Sequence, residues 1–374
     1  MIKKSLPLVI SSFEKIRKDN YIYVDKTEYA YKLFKRGGYT HVFLSRPRRF
    51  GKSLFLDTLK QMFLGKRELF NDLWIYNSDY DWQEYPIIHI DFSNFNKNSA
   101  KDLEIHLAQF LTEYASNRNI DLSAYTSIHG KFSLLIQKLS KLNNVVILID
   151  EYDKPILDNV NDIKKAEEIR DLLKSFYEVI KGNDSCIRAM FMTGVTKVSQ
   201  MSIFSGLNNL VDISLDDEYS TILGYTQQEM EDNFSNYFEK SKTLMHMNQE
   251  ALLTEIKKWY NGYRFSRSED RVYNPFSILN FFAKNNFLNY WFTTGTPSFL
   301  IKLLKAQLDQ FQESKEYTYD LDALGGFELD GLPIIPVLYQ SGYLTITDYN
   351  PRIRQYKLGY PNFEIGESFT KVIL

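Results

Sequence analysis

Short continuous apolar runs alternate with helix-period stretches through residues 1–220. The runs are His41 to Leu44, Ile87 to Phe92, Val145 to Asp150 and Ile187 to Met192, the third the most continuous, and Val211-Asp212-Ile213-Ser214-Leu215 adds a fifth strand. A run without polar alternation suits a strand buried on both faces of a parallel sheet. Between the runs, Leu103, Leu107, Phe110 and Leu111 share one helical face, and Leu134 to Leu142 continues as helix. Ile163, Ala166, Ile169, Leu172, Leu173, Phe176 and Ile180 recur near helical spacing. Strands and helices taking turns in this way argue for an α/β sheet. Two charged, helix-like stretches, 13–20 and 28–35, precede the first strand, with a brief alternation from Tyr21 to Thr27 between them.

The pattern changes near Thr221. Thr226 with Glu229 three residues on has capping-box spacing, and helical patterns follow through Ala251 to Tyr260 and over Ile278 to Phe282. Ile334 to Tyr339, then Gly342 to Thr347 and Arg354 to Leu358, outline a helix and a hairpin, as in a winged helix. Gly359 to Ile365 reads as a linker and the first piece of something further. The expected organisation is an α/β unit over 1–220, a helical lid over 221–330 and a winged-helix-like end over 331–374.

The candidate chemistry sits where the first strand meets its helix, at Arg46-Pro47-Arg48-Arg49-Phe50-Gly51-Lys52-Ser53-Leu54. Strand, loop and helix in that order make a phosphate-binding loop, because backbone amides and the helix dipole both favour an anion there. In this reading Lys52 reaches the β- and γ-phosphates and the Ser53 hydroxyl sits on Mg²⁺. The standard pattern has Gly where this chain has Arg46, and Gly there permits φ > 0 and close backbone approach. Arg46, Arg48 and Arg49 either replace part of that cradle, bind a second anion, or form a solvated basic loop. The third strand ends in Asp150 and Glu151, two acids at the carboxyl edge of the sheet where ligands bind in such folds. Asp150 suits the Mg²⁺ shell, and Glu151 suits the base that polarises the attacking water. One strand lies between the two motifs, as in the additional-strand P-loop NTPases, whose sheet order is 5-1-4-3-2.

Lesser candidates surround this pair. Thr193 or Thr196, ending the strand expected beside the loop, either senses the γ-phosphate or makes a turn hydrogen bond; Lys197 is a further candidate. Asp91 either joins the water network or caps its strand. Asp153 is expected to pair with Lys154 or lie at the surface, and Arg264 either reaches the nucleotide or is a surface residue. The segment before the first strand either contacts adenine or only packs.

Bulk properties narrow the class. The 374 residues are 44% apolar and 25% charged, ordinary for a folded soluble chain of two or three domains. The aromatic share of 15%, with 26 Tyr and 27 Phe, matches an AT-rich coding bias without any stacking role. A formal net charge of −2 gives no global reason to bind nucleic acid. The lone Cys186 cannot form an internal disulfide and fits a reducing compartment. The five His lack metal-ligand spacing. No apolar run approaches the roughly 18 residues of a membrane span, so a cytoplasmic protein without membrane partners is expected.

Six ordered motifs carry a family resemblance. They are Tyr23-Val24-Asp25-Lys26-Thr27, Arg46 to Ser53, Leu148-Ile149-Asp150-Glu151-Tyr152-Asp153-Lys154-Pro155, Thr193-Gly194-Val195-Thr196-Lys197, Ile203-Phe204-Ser205-Gly206-Leu207-Asn208-Asn209 and Trp259-Tyr260-Asn261-Gly262-Tyr263. Together the chain resembles the bacterial AAA-ATPase-like family, in which Arg in place of the first Gly is the usual form. The resemblance implies ATP and Mg²⁺ as cofactors, with phosphate and metal roles on Lys52, Ser53 and Asp150 and the base role on Glu151. It also implies a C-terminal PD-(D/E)XK nuclease domain. The chain stops at Leu374, where that domain would begin, and holds no later Asp…Glu-x-Lys array, so nuclease activity is not expected of it. ATP over GTP rests on the resemblance, since no guanine-reading N-K-x-D motif appears.

Two functions follow. One is an ATP-hydrolysing switch linked to nucleic-acid processing or defence against mobile DNA. The other is a non-hydrolysing module, stabilised by nucleotide, that binds DNA or protein through its C-terminal end, where Arg352, Arg354 and Lys357 are the evident cations. A homo-oligomer is compatible with either.

Overall fold

A computed structural model describes residues 4–198, 200–204, 207, 209–295, 300–301, 303–304, 307, 317–320, 324–329 and 331–373. Ser205, Gly206 and Asn208 of the fifth motif lie outside the described residues.

The α/β unit runs α1 (Phe13–Lys18), α2 (Thr27–Phe34), β1 (His41–Ser45), α3 (Lys52–Phe63), β2 (Ile87–Asp91), α4 (Ala100–Ser116), α5 (Ile128–Leu139), β3 (Val145–Asp150), α6 (Lys154–Leu157), α7 (Ile163–Gly182), β4 (Ile187–Gly194), α8 (Gln200–Ile203) and β5 (Val211–Asp212). All strand pairs are parallel, and the order is β5-β1-β4-β3-β2. Every residue of β1, β3 and all but one of β4 is buried, which is why these strands carry no polar alternation. The fifth strand is shorter than the stretch Val211 to Leu215 suggests: only Val211 and Asp212 pair with Val42 and Phe43. Thereafter Ser214 donates nothing to the ladder and instead accepts through its hydroxyl from the Ser45 amide at 2.9 Å.

The helical layer follows as α9 (Gln227–Met245), α10 (Gln249–Tyr260), α11 (Pro275–Lys284) and α12 (Phe292–Gly295). Its first helix opens on a full capping box: Thr226 accepts from the Glu229 amide, and Glu229 accepts from the Thr226 amide at 2.8 Å. Met230, Phe234, Phe238, Leu252, Ile256 and Phe282 build a separate core, into which Ile22 and Val24 from the N-terminal segment also pack.

The chain closes with β6 (Tyr317–Tyr319), α13 (Ile334–Ser341), β7 (Thr345–Asn350), β8 (Gln355–Gly359) and α14 (Phe363–Ile373). The three strands form an antiparallel sheet in the order β6-β8-β7. Leu338, Tyr343, Leu344 and Ile346 share one continuous core with the α/β unit. The expected linker ending at Ile365 is corrected here: α14 begins at Phe363 and buries Ile365 and Phe369. An apolar i, i+4 pair on a helix that can reach existing core has no reason to stay in solvent.

Candidate nucleotide-binding site

β1 delivers the chain to the loop with its backbone fixed between β4 and β5. Gly51 ends the loop at φ 97, a left-handed conformation that costs Gly nothing. No side chain caps α3. Its first amides and the positive end of its dipole therefore face outward, an arrangement that attracts anions. Arg49 is left-handed too, at φ 65, whereas Arg46 is not.

These residues open on a cavity of ≈ 510 Å³. Arg48, Arg49, Phe50, Gly51, Lys52, Ser53 and Leu54 line it, together with Glu151 and Lys154 from the end of β3. The rest of the lining is mostly apolar: Pro7, Ile10, Ile22 and Val24 from the N-terminal segment, Leu223 to Tyr225, and Phe276 and Leu279 of α11, with Ser11 and Lys26 as polar exceptions. The cavity thus lies between the phosphate loop and the helical layer.

Lys52 is buried, and its ammonium donates to the carbonyls of Arg46 (3.0 Å) and Pro47 (3.1 Å). Burial lowers its pKa, while Glu151, Asp150 and Asp153 pull it back up. Burial pushes the Asp150 carboxyl up to about 6, opposed by the Ser53 hydroxyl beside it and by the Lys52 charge. Lys52, Ser53 and Asp150 are therefore one electrostatic cluster. Glu151, at φ 53, turns its carboxylate to the cavity, where it makes no hydrogen bond or ion pair among the described residues. Arg48 is half-buried, and its carbonyl accepts from the Trp291 indole at 2.9 Å. The Arg49 guanidinium lies 3.9 Å from the centre of the Phe276 ring. Phe50 is buried edge-on against Tyr263 and Phe265. Gly342, at φ 93, presses on the loop from the C-terminal side, and a Cβ there would fall 2.7 Å from the Pro47 ring.

Several expected residues are placed elsewhere. Arg46 turns into the core: it donates to the carbonyls of Ser45 (2.9 Å), Ser214 (2.7 Å) and Tyr219 (3.2 Å) and is neither a solvated cation nor part of the cavity wall. Thr193 has no exposed surface and donates to Leu44 at 2.8 Å, the strand-to-strand bond rather than a ligand contact. Thr196 is equally buried and donates to Asp153. Asp153 is not at the surface: it accepts from the amides of Val195 (3.1 Å) and Thr196 (2.7 Å), tying the end of β3 to the end of β4. Lys197 is paired with Asp212 at 2.6 Å. Asp91 caps its own turn by accepting from Ser93 and Asn94. Arg264 is buried and caps the carbonyls of residues 266–268.

A model of the family described as "Predicted AAA-ATPase" matches residues 7–204. The chain belongs to this AAA-ATPase-like family. A relative from Azotobacter chroococcum mcd 1, "Uncharacterized protein in vnfD 5'region", is 41% identical over 384 aligned residues, covering all of this chain and 70% of the relative. Among solved structures, the Aeropyrum pernix ORC1 protein in complex with DNA is 11% identical over 93% of this chain and 90% of that one, at a TM-score of 0.30, a likeness too loose to carry an argument. The family is one of predicted P-loop ATPases, and the loop at the start of α3 falls within the matched residues. The structure also brings to the site a residue to which the sequence assigned no role. Lys26 lines the cavity yet is held by Glu229 (2.6 Å) and the Thr221 carbonyl (2.8 Å), joining the N-terminal segment to α9. Its signal was the motif Tyr23-Val24-Asp25-Lys26-Thr27 itself. No helix among the described residues is long and apolar enough to cross a membrane.

Proposed function

We propose that this AAA-ATPase-like protein binds ATP with Mg²⁺ in the cavity at the start of α3, hydrolyses it, and passes the nucleotide state to the helical layer. The observation that carries the reading is that Lys52, Ser53 and Glu151 meet a mostly apolar lining in one ≈ 510 Å³ cavity, a size suited to a nucleotide. Lys52 exchanges its two loop carbonyls for phosphate oxygens, a stronger partner because both groups are charged. Ser53 and Asp150, close enough for the hydroxyl to pull the carboxyl pKa down, are the residues that would hold Mg²⁺. Among the described residues no cluster of three or more His, Cys, Asp or Glu forms a closed metal cage, and one carboxylate with one hydroxyl suits an ion that keeps water and phosphate ligands. When bound, Mg²⁺ neutralises charge across the β- and γ-oxygens. Glu151, whose carboxylate is unengaged, orients and deprotonates the attacking water. Phe276, Leu279 and Leu223 to Tyr225 belong to the helical side of the cavity, so nucleotide exchange bears directly on how that layer sits.

The test is Mg²⁺-dependent ATP binding and phosphate release by the wild type, Lys52→Ala and Glu151→Gln. Wild-type turnover, loss of binding in Lys52→Ala, and binding without turnover in Glu151→Gln support the reading. A wild type that binds ATP but releases no phosphate above Glu151→Gln makes the nucleotide a structural ligand. A link to nucleic acid rests on the family resemblance; the exposed hairpin tip, Arg352 to Arg354, is where salt-dependent binding would be sought.

A further inference from the structure

In the standard loop the position of Arg46 is a glycine, valued for its backbone freedom. Here that freedom is not used, because the left-handed residues of the loop are Arg49 and Gly51. The side chain does something instead. Arg46 is 2% exposed, and its guanidinium holds three carbonyls: Ser45 beside it, and Ser214 and Tyr219 beyond β5. Tyr219 stands four residues before Leu223, where the chain begins to line the cavity opposite the phosphate loop. The same guanidinium stacks on Phe265, 4.2 Å from the ring centre, while Phe50, at the other end of the loop, meets that ring edge-on. The Arg46 carbonyl in turn accepts from Lys52.

A buried cation is costly unless its geometry is used. Among the described residues Arg46 pairs with no carboxylate: the nearby Asp212 is engaged by Lys197 at 2.6 Å. Burial pulls its pKa down to about 10, which leaves it charged at neutral pH. An apolar side chain of similar length would fill the same space but leave those carbonyls unpaired; what the guanidinium adds is direction, a planar fork aimed at carbonyls on two segments.

We infer that Arg46 is a positioning residue that, through its hold on the Tyr219 carbonyl, sets the gap between the phosphate loop and the wall at residues 223–225, and so sets nucleotide affinity. This rests on the nucleotide reading above. It makes a counterintuitive prediction: restoring the standard glycine harms the site.

The experiment measures Mg-ATP affinity and melting temperature for the wild type, Arg46→Gly and Arg46→Met. Arg46→Met roughly keeps the volume but leaves the Ser214 and Tyr219 carbonyls unpaired, so its melting temperature is expected to fall, and affinities are compared at a temperature where every variant is folded. Affinity is expected to fall by about tenfold or more in both variants. Millimolar guanidinium ion is expected to restore affinity in Arg46→Gly, where the space is open, and not in Arg46→Met, where a thioether fills it. Wild-type affinity in either variant overturns the inference. So does a loss in both variants that tracks melting temperature and resists guanidinium, which would assign Arg46 to folding alone. A wild type that binds no nucleotide overturns the functional reading and this inference together, so the two failures are distinct.

Discussion

Glu364 offers the sharpest test of how the C-terminal helix supports the site. It has no exposed surface, accepts from the Trp291 amide at 2.6 Å and receives the Ser277 hydroxyl at 2.8 Å. Trp291 in turn donates its indole N–H to the Arg48 carbonyl, so this carboxyl stands one residue from the phosphate loop. Burial pushes its pKa from 4.5 to about 7, against the pull of the hydrogen bonds from Ser277, Trp291 and Phe292. The titratable groups facing it are Tyr260, Tyr263 and Tyr290, all shifted upward and neutral through this range. The sign follows from proton binding. Below pH 4.5 both folded and unfolded chains hold the proton, and the group costs nothing. Between 4.5 and about 7 the unfolded chain ionises while the folded chain does not, so stability falls as pH rises. Above that range the loss is complete, about 3 kcal/mol. Glu364→Gln keeps the shape and the acceptor for Trp291 but cannot ionise. Urea unfolding of wild type and Glu364→Gln at pH 5 and pH 8 measures the difference. The variant is expected to gain up to about 3 kcal/mol on the wild type between the two conditions. A stability difference independent of pH would refute the reasoning.

Other expectations follow from buried partners. Asp153→Ala strands the Val195 and Thr196 amides and the Thr196 hydroxyl, and is expected to lower stability by about 3 kcal/mol in a denaturant melt. Glu229→Ala leaves the Lys26 ammonium, 8% exposed, without its carboxylate and opens the capping box, for an expected loss of about 3–5 kcal/mol. Adding Lys26→Met to Glu229→Ala is expected to recover part of that loss, and a double-mutant cycle with no coupling would show that the pair does not join the N-terminal segment to α9.

The β/α alternation was legible because buried parallel strands have no choice but to be apolar throughout, as Val145 to Ile149 are. Gly51, Lys52 and Ser53 were legible because they open a helix a short loop after a buried strand, and Asp150 and Glu151 because they stand at the end of another, two places the local sequence marks. The capping box at Thr226 was legible because its partners are three residues apart. The remaining assignments depended on contacts distant in sequence. Arg46 beside two other arginines looked like one of a set, but its partners are Ser214 and Tyr219, and only folding brings those carbonyls within reach. Asp153 looked like a surface acid beside a lysine until the end of β4 supplied two amides. Thr193 stands at the right strand end for a sensor, yet its hydroxyl is spent on Leu44 of the neighbouring strand. The sequence by itself determined the strands of the parallel sheet, apart from the length of β5, and which residues stand at the phosphate-type loop and the end of β3. The tertiary structure decided which polar side chains stay free for a ligand, because a buried donor or acceptor takes the nearest partner the fold provides.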